Sequence, residues 1–418
     1  MNKVRSVDEL NIKGKKVFLR LDLNVPISGT GEEKKIDDDT RIREALPTIQ
    51  YCLAQGAKVI LCSHLGRPDG KRNEKYSLEP VAEHLAKLLS RDVLLSEDAI
   101  GEGVYQMVHH SKEHQVILLE NIRFYPEEEA NDPKFSRELA KLCDVYITDA
   151  FGTAHRKHAS TYGLPQISPV AGAGFLIQKE LRFLNRLIHE PEHPYILVVG
   201  GAKVTDKLKA IDHLLNYVDQ VIVGGAMAYA FLAAKGESIG KSKCEADGIA
   251  AAEQILAKAK VRKVEILLPM DHKLCDPGED PELNAFSIAE KIAPEMAALD
   301  IGPKTMELFS KAIAEAKTIF WNGPMGFFEK KQYAEGSLVI ARAIAGSNAV
   351  KVAGGGDTLS AVASFDLTNK FDLLSTGGGA SLKYLEGKGL PGIDVLKGRA
   401  GAAQKAVLTI PDEDEDLL

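Results

Sequence analysis

The second half of this 418-residue chain carries four glycine clusters: Gly200-Gly201-Ala202-Lys203, Gly224-Gly225, Gly354-Gly355-Gly356-Asp357 and Gly377-Gly378-Gly379. Glycine lets the backbone come close to a ligand, and helix N-terminal amides attract phosphate. Four such turns, one with a lysine and one with an aspartate, point to nucleotide binding. The first half carries cations instead. They sit in Ser63-His64-Leu65-Gly66-Arg67-Pro68, Glu120-Asn121-Ile122-Arg123-Phe124 and Ala154-His155-Arg156-Lys157-His158, with Arg41 further upstream. The arginine fork matches phosphate and carboxylate, so several arginines on one rim suit a small anion. Asp22 and Asn24 belong to the same rim.

These residues need elements to position them. Short apolar runs at 16–21, 57–61, 116–119 and 145–148 read as buried strands, with helical patterns at 41–55, 78–89 and 133–142 between them. Asp132-Pro133 is a helix start, and Ser77 can cap the helix that follows it. The alternation resumes at 195–199, 220–223, 264–268, 318–321, 350–353 and 372–374. Strand–helix alternation predicts α/β architecture with parallel sheets, and so many strands suit two sheets rather than one. Ligands then bind at the carboxyl ends of strands, where the glycines and cations fall. A connecting helix is expected over 175–188, followed by Glu190-Pro191-Glu192-His193-Pro194. The expected division is 1–174, a connector at 175–194, 195–395, and a C-terminal segment at 396–418.

Other chemistries lack their signatures. Gly236-Glu237-Ser238-Ile239-Gly240-Lys241-Ser242 is one residue short of the Walker spacing. Gly172-Ala173-Gly174 lacks the third glycine of the dinucleotide fingerprint, and no strand clearly precedes it, which disfavours an NAD-dependent dehydrogenase. His110 and His114 share a helical face without a third ligand. Asp149, Asp271 and Asp276 lie near strand ends without a nucleophile to serve. The net charge of −7 argues against a nucleic-acid binder. The longest uncharged apolar run, 221–234, is too short to span a bilayer. The five scattered cysteines form no C-x-x-C pair, and the first eight residues lack a signal-peptide core. A reduced, soluble, cytoplasmic protein is expected.

Together the segments resemble the phosphoglycerate kinase family. The resemblance rests on Arg20-Leu21-Asp22-Leu23-Asn24-Val25-Pro26, the His64, Arg123 and His155–His158 segments above, Gly200-Gly201-Ala202-Lys203-Val204-Thr205-Asp206-Lys207, Leu299-Asp300-Ile301-Gly302-Pro303, Trp321-Asn322-Gly323-Pro324-Met325-Gly326, Gly354-Gly355-Gly356-Asp357-Thr358 and Ser375-Thr376-Gly377-Gly378-Gly379-Ala380-Ser381. It runs from about residue 4 to about residue 396. It implies two Rossmann-like, three-layer α/β lobes joined by a helix, with a cleft between. One lobe would bind 3-phosphoglycerate or 1,3-bisphosphoglycerate, the other MgADP or MgATP, for reversible phosphoryl transfer by a monomer.

By the same resemblance, Asp22, Asn24, Arg41, His64, Arg67, Arg123 and Arg156 would hold the phosphoglycerate, and Arg41 would also face the group in transit. Lys203 and Lys207 would contact nucleotide phosphates and the transferring phosphoryl group, with Gly378 and Gly379 completing the catalytic set. Gly201, Ala202, Gly225, Gly302, Pro324 and Glu329 would line the adenosine slot. Asn322, Gly355, Gly356 and Thr358 complete the nucleotide contacts, and Asp357 would bind Mg²⁺. The alternative is a catalytically inactive nucleotide- or phosphate-binding protein of the same fold. Two departures from the pattern stand out. The loop 27–36 is longer than usual and is expected to bulge into solvent ahead of Arg41. The tail beyond about residue 396 ends in Asp412-Glu413-Asp414-Glu415-Asp416, a solvated acidic run.

Overall fold

The computed structural model describes residues 3–29, 31–278 and 286–397, so the acidic tail lies outside the described residues. The chain forms two compact units. The first comprises residues up to Asp149, Lys157–Phe175 and the stretch from Gly392; the second comprises Ala150–Arg156 and Leu176–Pro391.

In the first unit the strands are β1 (Lys16–Arg20), β2 (Ile27–Ser28), β3 (Lys35–Ile36), β4 (Lys58–Cys62), β5 (Val93–Leu95), β6 (Val116–Leu118), β7 (Val145–Thr148) and β8 (Ala171–Ala173). Six of them form one sheet in the order β5-β6-β4-β1-β7-β8, every pair parallel. Helices on both faces bury both faces of such a sheet, so its strands read as continuous apolar runs. Val17, Phe18 and Leu19 of β1 are accordingly wholly buried.

The second unit repeats the plan with β9 (Tyr195–Val199), β10 (Gln220–Val223), β11 (Glu265–Leu267), β12 (His272–Cys275), β13 (Ser287–Ala289), β14 (Ala297–Ile301), β15 (Thr318–Asn322), β16 (Val350–Gly354) and β17 (Leu373–Ser375). The parallel sheet runs β11-β10-β9-β15-β16-β17. A small antiparallel sheet, β13-β12-β14, stands beside it. The helix Phe175–His189 buries Ile177, Leu184 and Leu187 together with Glu180, whose Oε1 accepts from the Thr376 N–H at 3.0 Å, just past β17.

Three details differ from expectation. The loop 27–36 does not simply bulge outward: β2 and β3 pair as a hairpin, Ile27 and Ile36 pack on the core, and Lys34 Nζ donates to the Glu74 carbonyl at 2.8 Å. Gly172 lies inside strand β8. A Cβ there would stand 2.9 Å from the Arg5 carbonyl oxygen, because the N-terminal segment runs alongside and Ala173 N–H donates to that same carbonyl. The glycine marks close backbone approach rather than a flexible turn. The small sheet of the second unit is not among the expected strands, because its segments are short and mix polar with apolar residues.

Thr48 joins three elements of the first unit. Its hydroxyl donates to Asp149 Oδ2 at 2.5 Å, past the end of β7, and accepts from the Phe175 N–H at 2.9 Å. Replacing it by isosteric valine removes both bonds, one of them to a buried carboxylate. Thr48→Val is expected to cost about 1–3 kcal/mol, read as a lowered midpoint in urea denaturation of the full chain.

Candidate active site

Because all six strands of the first sheet run the same way, the residues following β1, β4 and β6 emerge on one rim. Arg41, in the first turn of the helix Thr40–Ala54, donates from Nη1 to Asp22 Oδ1 at 3.2 Å and to the Asn24 carbonyl at 2.9 Å. The Gly66 backbone serves two site residues at once. Its N–H donates to Asn24 Oδ1 at 2.8 Å, and its carbonyl accepts from Arg123 Nη1 at 2.9 Å. Gly66 has φ +61°, and a Cβ there would meet the Tyr76 ring at 2.4 Å, so the turn needs glycine. Arg67 is exposed and has no polar partner among the described residues.

His64 is buried against this rim. Burial, then the charges of Arg20, Arg123, Arg41 and His158, holds its pKa well below the ordinary histidine value. Two of its supports are not among the expected site residues. Arg20, at the end of β1, is only 1% exposed and bonds Ser160 Oγ through Nε at 2.8 Å. Glu128 is fully buried; its carboxylate accepts from the Ser160 hydroxyl at 2.6 Å and the Ser160 N–H at 2.8 Å. Arg20 was legible as a lone charge closing an apolar strand. Glu128 was not, since Glu127-Glu128-Glu129 offers three equivalent acids. Arg156 falls in the stretch that belongs to the second unit, where its Nε donates to His155 Nε2 at 3.3 Å.

In the second unit the glycine loops after β9, β10 and β15 interlock. Gly200 N–H donates to the Asn322 carbonyl, Gly201 N–H to Pro324, and Gly225 N–H to Met325. A Cβ on Gly200 would stand 2.1 Å from the Pro324 oxygen, and one on Gly225 2.4 Å from the Gly201 nitrogen. Lys207 reaches into this knot. Its Nζ donates to the Gly200 carbonyl at 2.6 Å and to the Asn322 carbonyl at 2.8 Å. Withdrawal from water lowers its pKa to about 8, against the pull of Asp357 and Asp206. Asn322 Nδ2 holds the Gly354 carbonyl, and Thr358 Oγ1 accepts from the Gly323 N–H.

Beside the knot opens a cavity of about 440 Å³, within the usual range for small-ligand sites. Gly201, Ala202, Gly225, Pro324, Glu329 and Asp357 line it, as do Leu299 and, outside the segments the sequence singles out, Tyr229, Phe327 and Lys243. Gly302 is not among the lining residues. It precedes the helix Pro303–Glu315, and a Cβ there would strike Asp271, whose carboxylate accepts from the Lys304 and Thr305 N–H groups. Asp271 is thus a helix cap rather than a base. Asp357 is exposed in the first turn of the helix Gly356–Ser364, which Gly355 precedes. Lys203 is exposed and paired with Glu245 at 3.1 Å. Gly378 (φ +51°) and Gly379 open the helix Gly379–Leu385, and no atom stands within 4 Å of where their Cβ atoms would be.

The architecture defines the class: a protein of two doubly wound, parallel-sheet α/β units. The phosphoglycerate kinase family profile matches residues 7–388. The chain is 50% identical to the phosphoglycerate kinase of Anaeromyxobacter sp. (strain Fw109-5) over 94% of its length and 100% of that protein's. It is 50% identical to the enzyme of that name from Koribacter versatilis (strain Ellin345), over 94% and 98%. The solved structure of phosphoglycerate kinase from Coxiella burnetii superposes with a TM-score of 0.84 at 41% identity, covering 94% of this chain and 98% of that one. The chain therefore belongs to the phosphoglycerate kinase family.

Beneath the cavity, Asp300 is buried and accepts from the Gly336 and Ile301 N–H groups at 2.8 and 2.9 Å. Burial pushes its pKa up to about 7, with those N–H groups and Lys273 opposing. Between its ordinary value near 4 and about 7, the native state keeps a proton that the unfolded chain has lost. The native state then binds more protons, so this group's contribution to stability is present below pH 4 and is lost as pH rises through 7. Asp300→Asn should remove that slope, visible when denaturation midpoints of the two proteins are compared from pH 5 to pH 8.

Proposed function

We infer that this chain catalyses reversible, Mg²⁺-dependent phosphoryl transfer between 1,3-bisphosphoglycerate and ADP, giving 3-phosphoglycerate and ATP. It is a phosphotransferase with a carboxyl group as acceptor. The observation that carries the reading is the pairing of two rims in one chain of this family. A cationic rim occupies the first unit, and a glycine-lined cavity beside Lys207 and Asp357 occupies the second.

In the ATP-consuming direction the nucleophile is a carboxylate, ionised at neutral pH. It attacks the terminal phosphorus while the bond to the ADP oxygen breaks, and no proton must be removed. A general base is not needed. Catalysis consists of positioning and of neutralising charge on the equatorial oxygens. Arg41, Arg123 and His64 hold the acid, with Asp22, Asn24, Arg67 and Arg156 completing that set. Lys207 and Lys203 face the nucleotide phosphates. For Lys203 this means leaving Glu245, a modest step for an exposed ion pair. Gly356, Gly378 and Gly379 leave open space where a side chain would stand and would offer backbone amides there, Gly355 lies against the Asn322 side chain, and Asn322 and Thr358 keep the loops in place. Mg²⁺ is commonly held by one or two carboxylates plus substrate phosphates, which the exposed Asp357 carboxylate at the cavity wall, beside the glycine loops, fits. Asp357 would hold it, and the ion would neutralise phosphate charge. The reacting atoms must come within about 3–3.5 Å, so the reading includes hinge motion of the two units.

The same reading makes the protein a cytoplasmic monomer whose partners are small anions, with neither nucleic acid nor membrane involved. Free cysteines and the net charge of −7 support it, and among the described residues no helix is long and apolar enough to cross a membrane.

The deciding assay mixes the protein with MgATP and 3-phosphoglycerate and couples the acyl phosphate to NADH oxidation by glyceraldehyde-3-phosphate dehydrogenase. Turnover that needs both substrates and Mg²⁺ is expected; protection from heat by both ligands without turnover would overturn catalysis. Arg41→Ala should leave MgATP affinity nearly intact and lower turnover at least about tenfold. Lys207→Ala should weaken MgATP more than 3-phosphoglycerate in separate titrations. In the unaltered protein MgATP affinity should fall as pH rises through about 8, where Lys207 loses its charge, and in the variant that fall should vanish.

A further inference from the structure

Among the described residues the His64 ring has one polar partner: Arg20 Nη2 lies 3.4 Å from its Nδ1. A guanidinium has donors and no acceptor. The imidazole nitrogen that faces it must therefore present a lone pair, and the ring proton must sit on Nε2. No described residue hydrogen-bonds that second nitrogen. Arg20 in turn cannot swing. Its Nε is spent on Ser160 Oγ at 2.8 Å, its Nη1 bonds the Leu21 carbonyl, and Ser160 is held through both its hydroxyl and its N–H by Glu128. Arg20, Ser160 and Glu128 are each at most 1% exposed.

We propose that Arg20, anchored by Ser160 and Glu128, is a positioning residue that fixes His64 as the neutral Nε2–H tautomer, so that the anion rim offers one directional donor among its cations. The ligand class that suits it is an oxyanion, a carboxylate or phosphate oxygen accepting from Nε2–H; in this respect the proposal rests on the phosphoglycerate reading of the rim. The electrostatic surroundings agree. Arg20, Arg41, Arg123 and His158 all oppose a charged His64, and the balancing carboxylate, Glu128, stands behind Arg20, 3.9 Å from His158 Nδ1. A neutral donor orients an oxyanion while drawing less charge from it than a cation does. That suits an oxygen that must stay nucleophilic.

The test is long-range ¹H–¹⁵N NMR of the full-length, ligand-free protein labelled at its 11 histidines, with His64→Asn assigning the signal. The expected pattern is a pyridine-type Nδ1 and a pyrrole-type Nε2, unchanged between pH 5.5 and 8. An Nδ1–H tautomer, an exchanging mixture or an imidazolium would overturn the proposal. Arg20→Met should release the ring into a tautomer mixture. Arg20→Gln, whose amide can still donate to Nδ1, should restore the single form. Glu128→Gln should loosen it without removing the bulk of the side chain. A fixed tautomer in Arg20→Met would sink the positioning role, and if that variant does not fold, a fixed tautomer in Glu128→Gln would do so. Kinetically, Arg20→Gln should keep KM for 3-phosphoglycerate within about twofold, while Glu128→Gln raises it severalfold with KM for MgATP unchanged. If the tautomer shifts as expected but 3-phosphoglycerate perturbs no His64 resonance, the ligand reading fails and the tautomer assignment stands.

Discussion

Every strand pair in the two large sheets is parallel, and that constraint governs where polar groups can surface. A parallel sheet under helices on both faces has no wet face, so chemistry is pushed to strand ends. The amino ends receive chains arriving from helices. The carboxyl ends launch loops, and six aligned strands launch them side by side. In the first unit those loops carry Asn24, His64 and Arg123, with Arg41 on the helix that follows the hairpin. In the second they carry Gly201 and Gly225, with Asp357 in the first turn of the helix that follows β16. The same layout yields opposite sites because one rim was furnished with guanidinium groups and the other with bare backbone.

Both units draw ionisable groups away from water. Arg20, Glu128 and Asp300 are nearly inaccessible, and Lys207 is half-buried with carbonyls as its partners. A buried charge is costly unless it is paired and hydrogen-bonded. Arg20 and Glu128 meet that condition through Ser160, and Lys207 through two carbonyl oxygens at loop ends. In each case the group that satisfies the charge is also one that shapes the site. Electrostatic need and loop geometry are therefore the same set of hydrogen bonds.

The sequence disclosed this arrangement unevenly. Ten strands were legible because burial on both faces leaves a run of apolar residues, as in Lys16–Arg20 and Tyr195–Val199. The strand Ala171–Ala173 was not, since its Gly172 exists to admit the Arg5 backbone, a contact made between residues far apart in the chain. Asn24 and Arg123 could be named from their place after strands, while the Gly66 backbone that holds both could not. The resemblance makes Lys203 a phosphate ligand, and nothing local in the sequence reveals its ion pair with Glu245. What stayed hidden was in each case a partner supplied from elsewhere in the fold.

The knot of Gly200, Gly225 and Gly323 has a genetic corollary. At each position even a methyl group would lie within 2.4 Å of neighbouring backbone. Only one amino acid of the twenty fits. In the genetic code glycine is fixed by the first two bases of its codon, and the third is free. A change in either of the first two bases at these three codons replaces the glycine, so neutral drift there is confined to silent substitutions. The geometry of three crossing backbones is thus written into the gene as a pattern of wobble-only variation.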